Sequence, residues 1–317
     1  MQEITFTWLE ITGQCQLACD HCYASSGPLG THGSMLVEDW KRVIGQLADH
    51  GVTTVQFIGG EPTLHPGFPE LLTCAVEAGM GSEVFTNLSH VKDQWWDLYG
   101  HPAVSLATSF YSDQAAEHEA ITTGRGSYVR TKANIAEAVR RGIPLRAGII
   151  DVKDGQRVVQ ARQELESLGV TEIGVDRLRQ VGRGIRSTTP SVAQLCGNCA
   201  QGVAAISPEG WVWPCVFARW LPVGNVRTES VSAILSGSAM STTADELAAR
   251  FAAQRPCVPQ MCNPQCGPSC SPACAPQSNC RPTQTCAPNY TCGPCAPKDQ
   301  ACAPERECRP NQCRPTR

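Results

Sequence analysis

Residues 5–25 read TFTWLEITGQCQLACDHCYAS, and the rest of the chain is best read outward from them. Phe6, Trp8 and Glu10 alternate with their neighbours at the two-residue period of a strand, so residues 4–12 predict a first strand. Cys15, Cys19 and Cys22 follow it directly, spaced CxxxCxxC on one loop. Three thiolates so placed can hold three irons of a [4Fe-4S] cluster and leave the fourth iron without a protein ligand. A closed structural site wants four ligands. The missing fourth is therefore the chemical point, because an open iron can bind a substrate or cofactor. On spacing alone, a zinc site with a remote fourth ligand and three unrelated thiols are the alternatives.

Further strands are predicted over residues 53–58, a short β-branched run, and over 82–88, 104–110, 145–151 and 172–178. Helical patterns alternate with them. Residues 36–50 put Leu36, Trp40, Val43, Ile44 and Leu47 on one face, and Gly51 stops the helix. Residues 127–141 and 157–168 read the same way, with Gly142 and Gly169 as stops. Six strands alternating with helices predict an α/β fold with a parallel sheet, open or partly closed into a barrel. Ligands of such sheets sit at the C-terminal strand ends. The cysteine triplet lies at one such end. Phe57-Ile-Gly59-Gly60-Glu61-Pro62 lies at the next.

CQLACDHCYAS after the first strand resembles the signature of radical S-adenosylmethionine (SAM) enzymes, with His21 at the usually aromatic position. In that family, SAM chelates the open iron through its amino and carboxylate groups. The segment Gly59-Gly60-Glu61-Pro62 resembles the family's GGEP, which binds the SAM amino group. Two glycines let backbone approach a ligand, and carbonyls with Glu61 suit an ammonium. The resemblance implies that Tyr23, Gly59, Gly60, Glu61, Pro62, Asn87 and Ser109 face the cofactor. Thr86-Asn87 stands where the family often has a polar pair, and Ser109 where it contacts the ribose or carboxylate. Asp113, Arg125 in TTGRGSY, and Val181-Gly182-Arg183-Gly184 are weaker matches, Arg125 equally readable as a loop arginine and the last as a plain flexible turn. The resemblance covers residues 1–190 and implies a partial (β/α)6 TIM-like barrel. The chain as given starts on its first strand, so no N-terminal leader-peptide recognition domain is expected.

A second signature follows. Cys199, ten residues, Gly210, four residues and Cys215 fit C-x(9–15)-G-x(4)-C, with Cys196 three residues earlier. This resembles the opening of the SPASM extension of radical SAM enzymes. The intervening AAISPEGWVWPC reads as a β-hairpin turning at residues 207–210, which brings Cys199 and Cys215 together at its base. In SPASM proteins these positions ligate an auxiliary [4Fe-4S] cluster, while on spacing alone a zinc ribbon-like site is the alternative. A helix over residues 230–235 follows Gly224-Asn225.

After Arg255 the composition changes. All twelve cysteines from Cys257 to Cys313 are followed by one residue and then proline. Each proline fixes φ and biases the residue before it to extended geometry, which excludes helix. Two fully ligated auxiliary clusters take eight thiolates, a number reached by Cys196, Cys199 and Cys215 with Cys257, Cys262, Cys266, Cys270 and Cys274. The cysteines from Cys280 onward are surplus: further metal ligands, disordered, or themselves modified. The expected division is 1–190 radical SAM core, 191–276 SPASM-like auxiliary domain with its hairpin, and 277–317 irregular CxP-repeat tail. Cys74 sits in a helical pattern and reads as a buried core thiol. Apart from His21, the histidines read as surface residues.

Over its 317 residues the chain is 17% charged and 42% hydrophobic, with a net charge of −3. That balance gives no electrostatic case for nucleic acid or an anionic membrane. No secretory signal or apolar run of membrane-spanning length occurs, so a cytoplasmic protein with reduced thiols is expected. The resemblance implies reductive cleavage of SAM, fed by a flavodoxin- or ferredoxin-type donor, and oxidative modification such as crosslinking of a ribosomally made precursor peptide. A radical SAM enzyme acting on a small molecule or a protein, and a non-enzymatic metal-binding or electron-transfer protein, are the other classes.

Overall fold

The computed structural model describes residues 3–187 and 189–254. The tail candidates Cys257, Cys262, Cys266, Cys270 and Cys274, and all later cysteines, lie outside the described residues. Six strands lie side by side in chain order: β1 (Phe6–Thr12), β2 (Thr54–Gly59), β3 (Gly81–Phe85), β4 (Val104–Phe110), β5 (Leu145–Asp151) and β6 (Glu172–Arg177). Every neighbouring pair among them is parallel. Helices make the crossovers that parallel pairing demands: α1 (Val37–Asp49), α2 (Phe68–Glu77), α3 (Trp95–Tyr99), the pair α4 (Ala115–Thr122) and α5 (Ser127–Arg140), and α6 (Val158–Ser167).

The predicted amphipathic face of α1 is the buried one. Trp40, Val43, Ile44 and Leu47 are fully covered and join Phe57, Phe68 and Leu71 in the main core. Each such side chain contributes roughly 1.5–3 kcal/mol on burial. The Asp39 carboxylate accepts from the Leu36 N–H at 3.0 Å and closes the helix start. β3 ends sooner than its sequence suggests. Thr86 N–H still donates to Ala107 O, but Asn87 N–H turns to the Glu61 carboxylate and Leu88 takes a left-handed φ of 50°.

The hairpin forms as predicted, from β7 (Val203–Ile206) and β8 (Trp211–Trp213), with Gly210 at φ 84° in its turn. Its place was not predicted. β7 pairs in parallel with β1, Phe6 against Val203 through Leu9 against Ile206. β9 (Gly224–Asn225) adds beyond β8, so one nine-stranded open sheet runs β6-β5-β4-β3-β2-β1-β7-β8-β9. The auxiliary segment is thus joined to the barrel strands by backbone hydrogen bonds, not appended beside them. α7 (Val231–Leu235), capped by the Ser230 hydroxyl, and α8 (Ser238–Gln254) complete the described chain.

Among the described residues no helix is long and apolar enough to cross a membrane. Three smaller expectations are corrected. Cys74 is half-buried, packed against the edge of the core on α2. His65 and His118 are buried. His65 turns its Nδ1 to the Gly67 N–H, and His118 sits between the rings of Phe110, Tyr111 and Tyr128.

Candidate active site

A cavity of about 170 Å³ opens at the C-terminal ends of the parallel strands. Cys15, Cys19 and Cys22 line it together with Gly59, Gly60, Asn87 and Ser109. The cysteine loop is fixed by backbone: Cys15 N–H donates to Gly27 O, Cys22 N–H to Cys19 O, and Ala18 N–H to Thr122 O at the end of α4. Sulfur atoms receive donors too. Leu17 N–H points at Cys15 Sγ (3.4 Å), Asn87 Nδ2 at the same sulfur (3.8 Å), and Ser26 N–H at Cys22 Sγ (3.3 Å). Hydrogen bonds of this kind stabilise thiolates and tune a cluster they hold.

Burial pushes the Cys15 thiol up to about 12, with the Glu61 carboxylate adding to it, and burial also raises Cys19. Such thiols ionise only against strong positive charge, which iron supplies. Among the described residues no three His, Cys, Asp or Glu side chains close on a single ion. All three cysteines line the same cavity. Three residues that line the cavity carry buried polar atoms with no partner among the described residues: Ser26 Oγ, His21 Nδ1 and His118 Nδ1. Buried polar atoms without partners mark the place of a polar ligand. The residues present fit a [4Fe-4S] group on the three cysteines with SAM beside it.

The two glycines are there for contact. A side chain on Gly59, at φ 121°, would stand 2.3 Å from Thr12 O, and one on Gly60 would stand 2.1 Å from Gln14 O. Gly60 N–H and Glu61 N–H donate to those same two carbonyls. The GGEP segment is thereby sewn onto the start of the cysteine loop. Glu61 and Pro62 do not line the cavity. The Glu61 carboxylate is 1% exposed and fully engaged, accepting from Thr63 N–H and Oγ1 and from Asn87 N–H. Pro62 is buried at the start of a short 3-10 turn. Asp113 is paired with Arg157 and Arg125 is exposed, neither on the cavity.

Residues that read as a weak family match or a flexible turn hold the cysteine loop in place. Gly182–Gly184 forms a 3-10 turn seated on the cysteine loop. Arg183 donates from its backbone N–H to Cys22 O (2.9 Å), from Nε to Cys19 O (3.0 Å) and from Nη2 to Ser26 O (2.5 Å). A side chain on Gly182 would stand 2.2 Å from Tyr23 O. The arginine flanked by two glycines was the available signal: a cation needing close backbone approach.

The second cysteine group assembles at the hairpin base. Cys199 and Cys215 are buried with their sulfurs 3.0 Å apart, and Ala200 N–H donates to Pro214 O beside them. Phe6, Trp8, Leu195, Trp213, Leu247 and Phe251 surround the pair. The neighbouring Cys215 thiol and burial hold Cys199 well above its ordinary range. Cys196 is half-buried and close enough to raise Cys199 further. This dry, thiol-rich shell fits an auxiliary cluster held by Cys196, Cys199 and Cys215. Tyr23, next to Cys22, meets Phe217, two residues after Cys215, edge to face at 5.4 Å.

Comparison with known proteins agrees with this geometry. The radical SAM superfamily profile matches residues 9–157, and that of the SPASM iron-sulfur cluster-binding domain matches residues 196–270. The chain is 23% identical over 288 residues to the antilisterial bacteriocin subtilosin biosynthesis protein AlbA of Bacillus subtilis, covering 80% of this chain and 64% of AlbA. It is 26% identical over 271 residues to a PqqA peptide cyclase of Xanthomonas campestris, covering 71% and 72%. It spans 43% of the sporulation killing factor maturation protein SkfB of B. subtilis. In fold it is similar to Streptococcus suis SuiB bound to its precursor peptide SuiA (TM-score 0.65, 14% identity, 77% of this chain, 67% of SuiB). It is also similar to anSMEcpe with bound AdoMet (TM-score 0.61, 11% identity, 77% and 83%). The chain thus carries a radical SAM superfamily segment over residues 9–157 and a SPASM-type iron-sulfur cluster-binding segment over residues 196–270.

Proposed function

We propose that this chain is a peptide-modifying radical SAM enzyme that crosslinks or otherwise oxidatively modifies a ribosomally made peptide in the cytoplasm. One observation carries the reading: a single cavity collects the three loop cysteines, the Gly59-Gly60 backbone, Asn87 and Ser109, with a second buried thiol pair one aromatic contact away. Cys15, Cys19 and Cys22 would hold the SAM-binding cluster, and Cys196, Cys199 and Cys215 an auxiliary one completed from residues 257–274. When bound, the cluster and SAM together supply one electron and a 5′-deoxyadenosyl radical able to take a hydrogen atom from an unactivated carbon. The chain's own residues position and shield that chemistry. Trp8, Ile58, Phe85 and Phe217 make the apolar wall, and Asn87 and the Ser26 hydroxyl offer hydrogen bonds. The peptide class follows the named activities of similar proteins, a PqqA peptide cyclase and SuiB with its precursor peptide. A flavodoxin- or ferredoxin-type protein would supply the electron. On this reading the functional division is 1–190, 191–276 and 277–317.

Chain reconstituted with iron and sulfide should release 5′-deoxyadenosine from SAM and dithionite. A Cys15/Cys19/Cys22 triple Ala variant should release none while keeping auxiliary iron. Cys199→Ala should lose roughly one cluster of iron yet still cleave SAM. Wild-type cleavage by the triple variant would sink the assignment, and full iron content in Cys199→Ala would sink the auxiliary site.

A further inference from the structure

The strand register stacks the cavity wall in rows. Trp8, Gln56 and Glu83 are register partners across β1, β2 and β3. Two residues further along the strands come Ile58, Phe85, Ala107 and Arg146, with Phe85 opposite Ala107 and Ala107 opposite Arg146. Two further still lies Ser109, on the level of the cysteine loop. Gln56, Glu83 and Arg146 are therefore a polar floor inside an otherwise apolar barrel, one and two rows beneath the proposed cofactor level.

That floor is built with care for one group. Glu83 and Arg146 are each 8% exposed at the side chain. Glu83 is saturated: Oε2 accepts from Arg146 Nε (2.6 Å), and Oε1 from Arg146 Nη2 (2.8 Å) and from Gln56 Nε2. The Phe85 ring lies 5.7 Å from the guanidinium carbon. Arg146 is thus gripped along one edge, while its Nη1 has no partner among the described residues and the side chain lines the cavity. A buried ion pair contributes little stability over apolar packing of the same shape, so stability alone does not account for this one. An arginine braced by a carboxylate and left with a free donor edge is a preorganised receiver for a planar acceptor. The surrounding charge selects which acceptor. Arg146, Arg177, Arg179 and Arg183 line the same cavity, against Asp176 on its wall and Glu83 beneath it. Four guanidiniums against two carboxylates favour an anion over a neutral carbonyl.

We propose that the cavity floor is a subsite for a substrate carboxylate, in which Arg146, held by Glu83 and Gln56, receives the side chain of an acidic residue in the peptide. The assignment rests on the peptide-modifying reading above and narrows it: the residue docked beneath the reaction centre, or its immediate neighbour, is Asp or Glu.

The test uses reconstituted holoenzyme with saturating SAM and three probes, the N-acetyl N-methylamides of Glu, Gln and Lys, with binding followed by ligand-detected NMR. Wild type should bind the Glu probe about tenfold more tightly than the Gln probe and should not bind the Lys probe measurably. Arg146→Lys keeps the charge opposite Glu83 but withdraws the free fork, and should bring the Glu and Gln probes within about twofold of each other. Equal binding of Glu and Gln probes by wild type, no binding of either at millimolar concentration, or an unchanged preference in Arg146→Lys would each overturn the proposal. A weakened affinity for SAM in Arg146→Lys with the probe preference intact would instead assign the fork to the SAM carboxylate, and would overturn it too. The wild-type probe comparison stands even if the variant misfolds. Release of 5′-deoxyadenosine without any probe tests the underlying reading separately, so the two can fail independently.

Discussion

Arg183 reaches back 164 residues along the chain to donate from Nε to the backbone carbonyl of Cys19, at 3.0 Å. With its Nη2 on Ser26 O and its N–H on Cys22 O, one residue holds three carbonyls of the loop that bears the proposed cluster ligands. A cation facing three carbonyls also brings positive charge toward the Cys19 thiol, opposing the effect of burial there. The turn after β6 thus adds three hydrogen bonds to those the loop makes within itself.

Arg183→Met should therefore loosen the loop while keeping the aliphatic stem. Iron per chain should fall by roughly one cluster, with the auxiliary iron retained, and unfolding free energy should drop by about 2 kcal/mol. Arg183→Lys should recover part of the iron, since one ammonium cannot span both side-chain contacts. Wild-type iron content and absorption in the Met variant would show that the clamp is dispensable.

Gly60→Ala should be far more damaging than its size suggests. The added carbon would stand 2.1 Å from Gln14 O, a backbone atom with no flexible end to move. Loss of roughly 2 kcal/mol or more, or failure to bind SAM, is expected. Gly45, inside α1, has nothing within 4 Å of an added carbon. Gly45→Ala should stabilise the chain by about 0.5–1 kcal/mol. Urea unfolding of both variants checks the contrast, and a Gly60→Ala chain as stable as Gly45→Ala would contradict the close approach.

The barrel was readable because its strands and helices keep clean periods. β4 and β5 fall on their predicted residues, and α1 buries the face formed by Trp40, Val43, Ile44 and Leu47. The cysteine loop and Gly59-Gly60 were readable because short-range spacing encodes them. What stayed hidden depends on contacts distant in sequence. Nothing local to AAISPEG says that β7 will pair with β1, since both edges are ordinary until the fold brings them together. Glu61 looked like a ligand residue because a carboxylate beside two glycines suits an ammonium. Its engagement by Asn87 N–H depends on where β3 ends, which is set by tertiary structure. Arg146 looked like any strand residue until Glu83, two strands away, appeared beside it.

His118 supplies a pH signature. Burial among Phe110, Tyr111 and Tyr128 pulls it from 6.5 down to about 4. The folded chain keeps it neutral while the unfolded chain takes up a proton as pH falls below 6.5. The stability it contributes is full above about pH 6.5 and is lost as pH falls toward 4. His118→Phe removes the titration and keeps a ring in place. Relative to wild type, the variant should gain stability between pH 6.5 and 4, by at most roughly 3 kcal/mol. Parallel denaturant titrations at several pH values give the difference, and a gap that does not change with pH would mean His118 is not held neutral.

The seam between the barrel and the auxiliary segment contains one buried ion pair. Glu10 is 1% exposed on β1, and its carboxylate meets the Arg219 guanidinium, which comes from the loop after β8. Burial pushes Glu10 up, and Arg219 is the largest influence holding it down. The Arg219 guanidinium also lies 4.4 Å over the Trp213 ring, so it ties the hairpin side of the sheet to the same point. Removing Arg219 leaves the Glu10 carboxylate buried without its cation, with only the Tyr23 hydroxyl beside it, which costs up to about 3–5 kcal/mol, whereas removing both charges costs much less. Arg219→Met alone should therefore be strongly destabilising, and Glu10→Gln with Arg219→Met should recover most of the loss. The cycle is read by equilibrium unfolding, with iron content as a second measure, because a displaced loop would disturb Cys215 four residues away. If the double variant is no more stable than Arg219→Met, the arginine acts through its packing on Trp213 and not through the charge it shares with Glu10.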